Sequence, residues 1–124
     1  MKKISLLILL IFFGISAFSQ KKVLLEDKDQ IIERANAELD SAMTPPEGAI
    51  FLWSQKNPIK GEYTFDLSIW EKGTVTSIYV VGSMGGTIDA QNRFKAFLMS
   101  YNFNFKMPKG KSYKFRHTFV FSNS

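Results

Sequence analysis

Few side chains in this 124-residue sequence could do chemistry. There is no cysteine, which removes disulfide scaffolds, thiolate zinc sites, cysteine nucleophiles and lipid attachment through a leader cysteine. A single histidine, His117, leaves no histidine pair for a metal and no evident partner for a serine nucleophile. It sits among Tyr113, Phe115 and Phe119 on one strand face, the setting of a packed residue with one ring nitrogen satisfied. Glu62 and Asp66 share the other face of an earlier strand, where four residues put their side chains about 13 Å apart. That is too far for two carboxylates to work as a pair unless a third intervenes. The run Gly82-Ser83-Met84-Gly85-Gly86-Thr87 joins a strand to a helix start, where backbone amides can cradle an anion. It lacks both the Gly-Lys-Ser/Thr ending of a phosphate loop and the spacing of a dinucleotide site, so it reads as a plain flexible connection. The residues therefore predict no catalysis, no cofactor and no metal.

The elements that carry these residues follow an N-terminal leader. Met1-Lys2-Lys3 is a positive start, Ile4 to Phe18 is apolar, and Ala17-Phe18-Ser19 offers small residues at the positions a signal peptidase reads. Residues 1–19 thus read as a cleaved secretory signal peptide, being shorter than the roughly 20 apolar residues that span a bilayer comfortably. The alternative is a retained anchor. The mature chain is expected to be exported, periplasmic or secreted, and soluble. Without cysteines it must be held by packing, and 13 aromatic residues after Gly61 concentrate the expected core in the second half.

Residues 20–60 read as an N-terminal helix and a connecting segment, and residues 61–124 as an α+β domain. The helix is expected over 26–43. Asp27 and Gln30 have the spacing of a capping box, and Ile31, Ile32, Ala35, Leu39 and Ala42 form an apolar stripe. Thr44-Pro45-Pro46-Glu47-Gly48 stops it. Ala49 to Trp53 suits either a strand or a helical turn. Tyr63, Phe65, Leu67 and Ile69 alternate with polar residues as a half-buried strand, and Glu71-Lys72-Gly73-Thr74 turns into a second strand over 75–81. Residues 82–86 are expected to break it. Thr87 or Asp89 then caps a helix presenting Ala90, Phe94, Phe97, Leu98 and Tyr101. Residues 102–110 read as a loop, and 113–121 as a last strand. This β-β-α-β order predicts a three-stranded antiparallel sheet, order 2-1-3, backed by helices, with the last strand as an edge.

Residues 57–121 resemble the C-terminal domain of TonB-type energy transducers. The likeness is carried by Gly61-Glu62-Tyr63-Thr64-Phe65-Asp66-Leu67-Ser68-Ile69 and by the hairpin over 71–81. It continues through Tyr101-Asn102-Phe103-Asn104-Phe105-Lys106-Met107-Pro108, Gly110-Lys111 and the closing Phe119-Val120-Phe121. Asn57-Pro58-Ile59-Lys60 and the inserted Met107 depart from the family pattern, and there is no long Pro-rich linker. The resemblance implies a sheet that binds a short peptide of an outer-membrane transporter by strand addition. Force transmission from the inner membrane would follow only if the leader is retained as an anchor.

Charge completes the reading. From Asn92 onward there are seven basic residues and no acid, whereas Val23 to Gln91 holds 11 acids against five bases. Such a face suits an anionic partner, or else keeps an exposed edge from aggregating. Nucleic acid is a poor candidate, because the chain is expected to be exported and its aromatics fall on core faces rather than between lysines; anionic glycolipid headgroups or an acidic peptide suit the face better. The expected partner is an envelope protein or peptide lying along Tyr113, Lys114, Phe115, Arg116, His117, Thr118 and Phe119. A homodimer through the same edge is the alternative.

Overall fold

The computed structural model describes residues 22–122, so the expected leader lies outside the described residues. Asp27 caps the first helix, α1 (Lys28–Ala42), by accepting the backbone N–H of Gln30 at 3.1 Å. Its buried residues Ile31, Ala35, Leu39 and Ala42 fall on one stripe. The ambiguous apolar run after the prolines is a helix, α2 (Ala49–Lys56), folded tightly against the end of α1. A Cβ on Gly48 would collide with the Ala42 carbonyl oxygen, so only glycine lets the chain turn there.

Strand β2 (Gly61–Trp70) lies between β3 (Val75–Met84) and β5 (Ser112–Phe121), antiparallel to both. Tyr63, Phe65, Leu67 and Ile69 of β2 are completely buried, and the residues between them face outward. The hairpin turn is tight. Gly73 N–H donates to Trp70 O at 2.7 Å, and Trp70 N–H donates to Thr74 O at 2.9 Å. Gly73 holds φ of 82°, which an L side chain tolerates poorly.

Two expectations are corrected. Residues 82–84 do not break the second strand: Gly82 and Met84 stand in register with Thr64 and Glu62, and the chain leaves the sheet only at Gly85, where φ is 79°. Residues 102–110 are not merely a loop. Phe105–Lys106 forms β4, parallel to β1 (Val23–Leu24), and Phe103, Phe105 and Met107 are buried. Their period-two spacing was available in the sequence, but Pro108 and Gly110 masked it.

Helix α3 (Ile88–Met99) starts at Thr87, whose hydroxyl accepts Ala90 N–H at 3.1 Å. It buries Ala90, Gln91, Phe94 and Leu98. Phe94 is the hub of the core. Its ring lies 4.9 Å from Phe119, 5.0 Å from Phe121, 5.5 Å from Trp53 and 5.8 Å from Phe65. One hydrophobic cluster joins these rings to α1's Ile31 and Leu39, with most of its buried members after Gly61. Among the described residues, no helix is long and apolar enough to cross a membrane.

Phe94→Ala should cost about 3–5 kcal/mol, since it removes an aromatic ring from a closed cluster, and urea unfolding measures it. Gly73→Ala should cost about 1–3 kcal/mol by the same measurement. Besides its strained φ, a Cβ there would lie 2.6 Å from Phe105 O and 2.9 Å from Phe103 O.

Candidate functional site

Both outer strands of the sheet have a free edge, and the two edges differ. Against β2, strand β3 carries one extra residue at Val81 and another at Thr76, because Thr64 and Phe65 pair with Gly82 and Val80, and Ser68 and Ile69 with Ser77 and Val75. Bulges of this kind twist an edge and spoil it as a template. Strand β5 pairs with β2 from Ser112 to Phe121 without a register shift. It therefore presents ten residues of regular strand, about 33 Å long.

The turn fixes which backbone groups of β5 point outward. Trp70 directs its N–H and C=O toward β3, as its two turn bonds show. Successive residues of a strand bond to opposite sides, so the odd-numbered residues of β2 bond to β5. Their register partners Tyr113, Phe115, His117 and Phe119 are bonded inward. The N–H and C=O groups of Lys114, Arg116, Thr118 and Val120 consequently face the free edge.

The side chains divide the same way. Phe115, His117 and Phe119 are buried and Tyr113 is half-buried, whereas Lys114, Arg116 and Thr118 are exposed on the sheet face that no helix covers. Of the seven residues expected to meet a partner, Lys114, Arg116 and Thr118 can present side chains. Phe115, His117 and Phe119 serve the core instead.

Arg116 is also not a free cation. It stands opposite Asp66 and grips it with two hydrogen bonds, Nε to Oδ1 at 2.9 Å and Nη2 to Oδ2 at 3.3 Å. These bonds hold the Asp66 carboxyl below the usual carboxylate range. The Thr64 and Thr118 hydroxyls lie 3.0 Å apart on the next exposed rung. Lys114 forms no ion pair among the described residues.

Under β5, His117 meets α1. Asn36 Nδ2–H donates to Ile32 O at 3.1 Å, which turns Asn36 Oδ1 toward His117 Nδ1 at 2.6 Å. That network assigns the ring proton to Nδ1. Nε2 is buried without a hydrogen-bond partner, although Asp40 Oδ1 lies 3.2 Å away. Burial pushes the imidazole below its ordinary value near 6.5, against the pull of the Asp40 carboxylate.

A second set of polar contacts escaped the sequence. Glu38 of α1 accepts the Tyr101 hydroxyl at 2.9 Å and the Asn104 N–H at 3.0 Å, tying α1 to the chain after α3. Burial, together with this carboxylate, raises the Tyr101 phenol well above its ordinary value. An open groove of about 810 Å³ runs beside this latch, between Arg34, Ser41, Pro45 and Asn104. Among the described residues, no three His, Asp or Glu side chains converge as a metal site requires.

Because the folded pKa of His117 lies below the unfolded one, its contribution to stability is complete above about pH 6.5 and declines as the pH falls below it. The loss of urea stability between about pH 7.5 and pH 5 should be smaller in His117→Gln than in the parent chain.

No family model matches this chain, and no curated protein matches it. Among solved structures, the solution structure of the TonB C-terminal domain of Helicobacter pylori is similar in outline. The TM-score is 0.43 with 19% identity, covering 79% of this chain and 87% of that one. That likeness assigns no site residue of this chain.

Proposed function

We propose that this chain is an exported, non-catalytic interaction domain of the cell envelope that captures an extended peptide at the β5 edge. One observation carries the reading: the ten-residue strand β5 pairs along its length on one side and with no described strand on the other. Outward backbone groups at alternate residues would supply the hydrogen bonds, as in other strand-addition modes. Neighbouring side chains on the open face would sit about 5 Å from those of the peptide. An acidic residue then suits Lys114, and an aliphatic one suits Val120, which is 58% exposed.

Charge disfavours one register of self-pairing. Antiparallel pairing of β5 with itself about Arg116 would set Arg116 against Arg116, and like charges directly opposite are destabilising. The envelope setting rests on the leader, and an outer-membrane transporter segment is one partner of suitable form.

A displayed library of linear peptides is the test probe. Peptides selected on the parent chain should protect the amides of Lys114, Arg116 and Thr118 from hydrogen exchange. Arg116→Pro removes one outward N–H without touching the β2 ladder and should weaken binding at least about tenfold. Arg116→Ala keeps that N–H and should bind within a few-fold of the parent. Undiminished binding by a folded Arg116→Pro chain would overturn the reading. So would a concentration-dependent mass that peptides cannot reverse, which would assign the edge to self-association.

A further inference from the structure

Three stretches far apart in the sequence meet at the hairpin-turn end of the sheet. Residues 23–25 pair with β4, Leu25 N–H donating to Lys106 O at 2.9 Å. The turn packs on the same stretch: Phe103 N–H donates to Gly73 O at 2.8 Å and Met107 N–H to Glu71 O at 2.7 Å. Lys22 Nζ reaches across to Lys72 O at 2.8 Å. The result is a basic pole of Lys22, Lys72, Lys106, Lys109 and Lys111, none of them in an ion pair among the described residues. Of the acids nearby, Glu71 accepts Gly110 N–H at 2.7 Å, and Glu26 follows β1.

Two aliphatic side chains lie exposed among these lysines. Val23 is 56% and Leu24 48% exposed, although both belong to a hydrogen-bonded strand. Lysines around protruding aliphatics are the composition of a surface that lies on a bilayer, where apolar insertion and attraction to anionic headgroups add. A nucleic acid would use the lysines and gain nothing from the aliphatic side chains.

The position of the pole agrees. The chain enters the fold here, and Lys22 is four residues after Phe18, the end of the apolar Ile4–Phe18 stretch. Four residues reach about 14 Å at full extension. If that stretch is retained in a membrane as an anchor, the folded pole is held within reach of the headgroups.

We propose that this pole docks on an anionic lipid bilayer, with Leu24, in register beside Lys106, entering the headgroup layer and the lysines lying on the phosphates. The β5 strand starts beside the pole and runs away from it, so its edge stays accessible in the docked state. The proposal is independent of peptide capture.

The full chain recovered from cells is floated with vesicles of phosphatidylcholine, and with the same vesicles carrying about 30 mol % phosphatidylglycerol. At about 0.1 M salt the anionic vesicles should bind at least about tenfold better, and at about 0.5 M salt the difference should vanish. The lysine variants keep Lys2, Lys3 and the apolar stretch, so a preference lost in them belongs to the pole. Lys106→Glu/Lys109→Glu/Lys111→Glu should abolish the preference, and Leu24→Ser should weaken anionic binding several-fold. If the triple variant fails to fold, Lys109→Gln/Lys111→Gln in the exposed turn should still cut the preference several-fold. Equal binding to both vesicles, or full preference in a folded lysine variant, would overturn the proposal. Binding to polyglutamate as strong as to anionic vesicles, with Leu24→Ser neutral, would also overturn it and assign the pole to acidic macromolecules.

Discussion

A three-stranded sheet with helices on one face has to leave its other face and two edges to water, and the rest of this molecule is arranged around that constraint. The central strand β2 is bonded on both sides and buries four large side chains completely. Helices α1 and α3 cover those side chains, and Phe94 of α3 closes the aromatic cluster against β2 and β5. What the helices cannot cover must be polar or blunted. On β3 two bulges do this. On β5 the Asp66–Arg116 pair and the Thr64–Thr118 contact make the middle of the face polar, with Val120 exposed beyond them, while the backbone edge stays regular.

The same alternation that builds the core sets out the edge. Each odd residue of β5 sends its side chain inward and its backbone groups to β2. Each even residue sends its side chain to the open face and its backbone groups outward. A partner strand would therefore meet only every second residue, and the aromatic residues that dominate β5 in the sequence act by stiffening it from beneath. His117 belongs with them: its contacts to Asn36 and Asp40 link the edge strand to α1.

Non-local pairing does the remaining work. The two-residue strands β1 and β4 are too short to be stable alone, yet their pairing brings the chain entry, the hairpin turn and the lysine-rich turn over 108–111 to one end. The charge asymmetry seen along the sequence thereby becomes a localised pole. Glu38 acts similarly from α1, joining Tyr101 and Asn104 at sequence separations of 63 and 66 residues.

The sequence by itself determined the local elements, because local elements depend on period and caps that a chain carries within a few residues. The stripe of α1 with its Asp27 cap, the alternation of β2 and β5 and the glycine of the hairpin turn were all legible for that reason. The helical state of Ala49–Lys56 was not, since eight apolar and polar residues fit either period and only packing on α1 and Phe97 decides. Nor could the sequence tell that Arg116 is matched by Asp66, that β3 is the bulged edge, or that five distant lysines share one pole. Those facts depend on register and on contacts across 50 or more residues, which exist only once the sheet has closed.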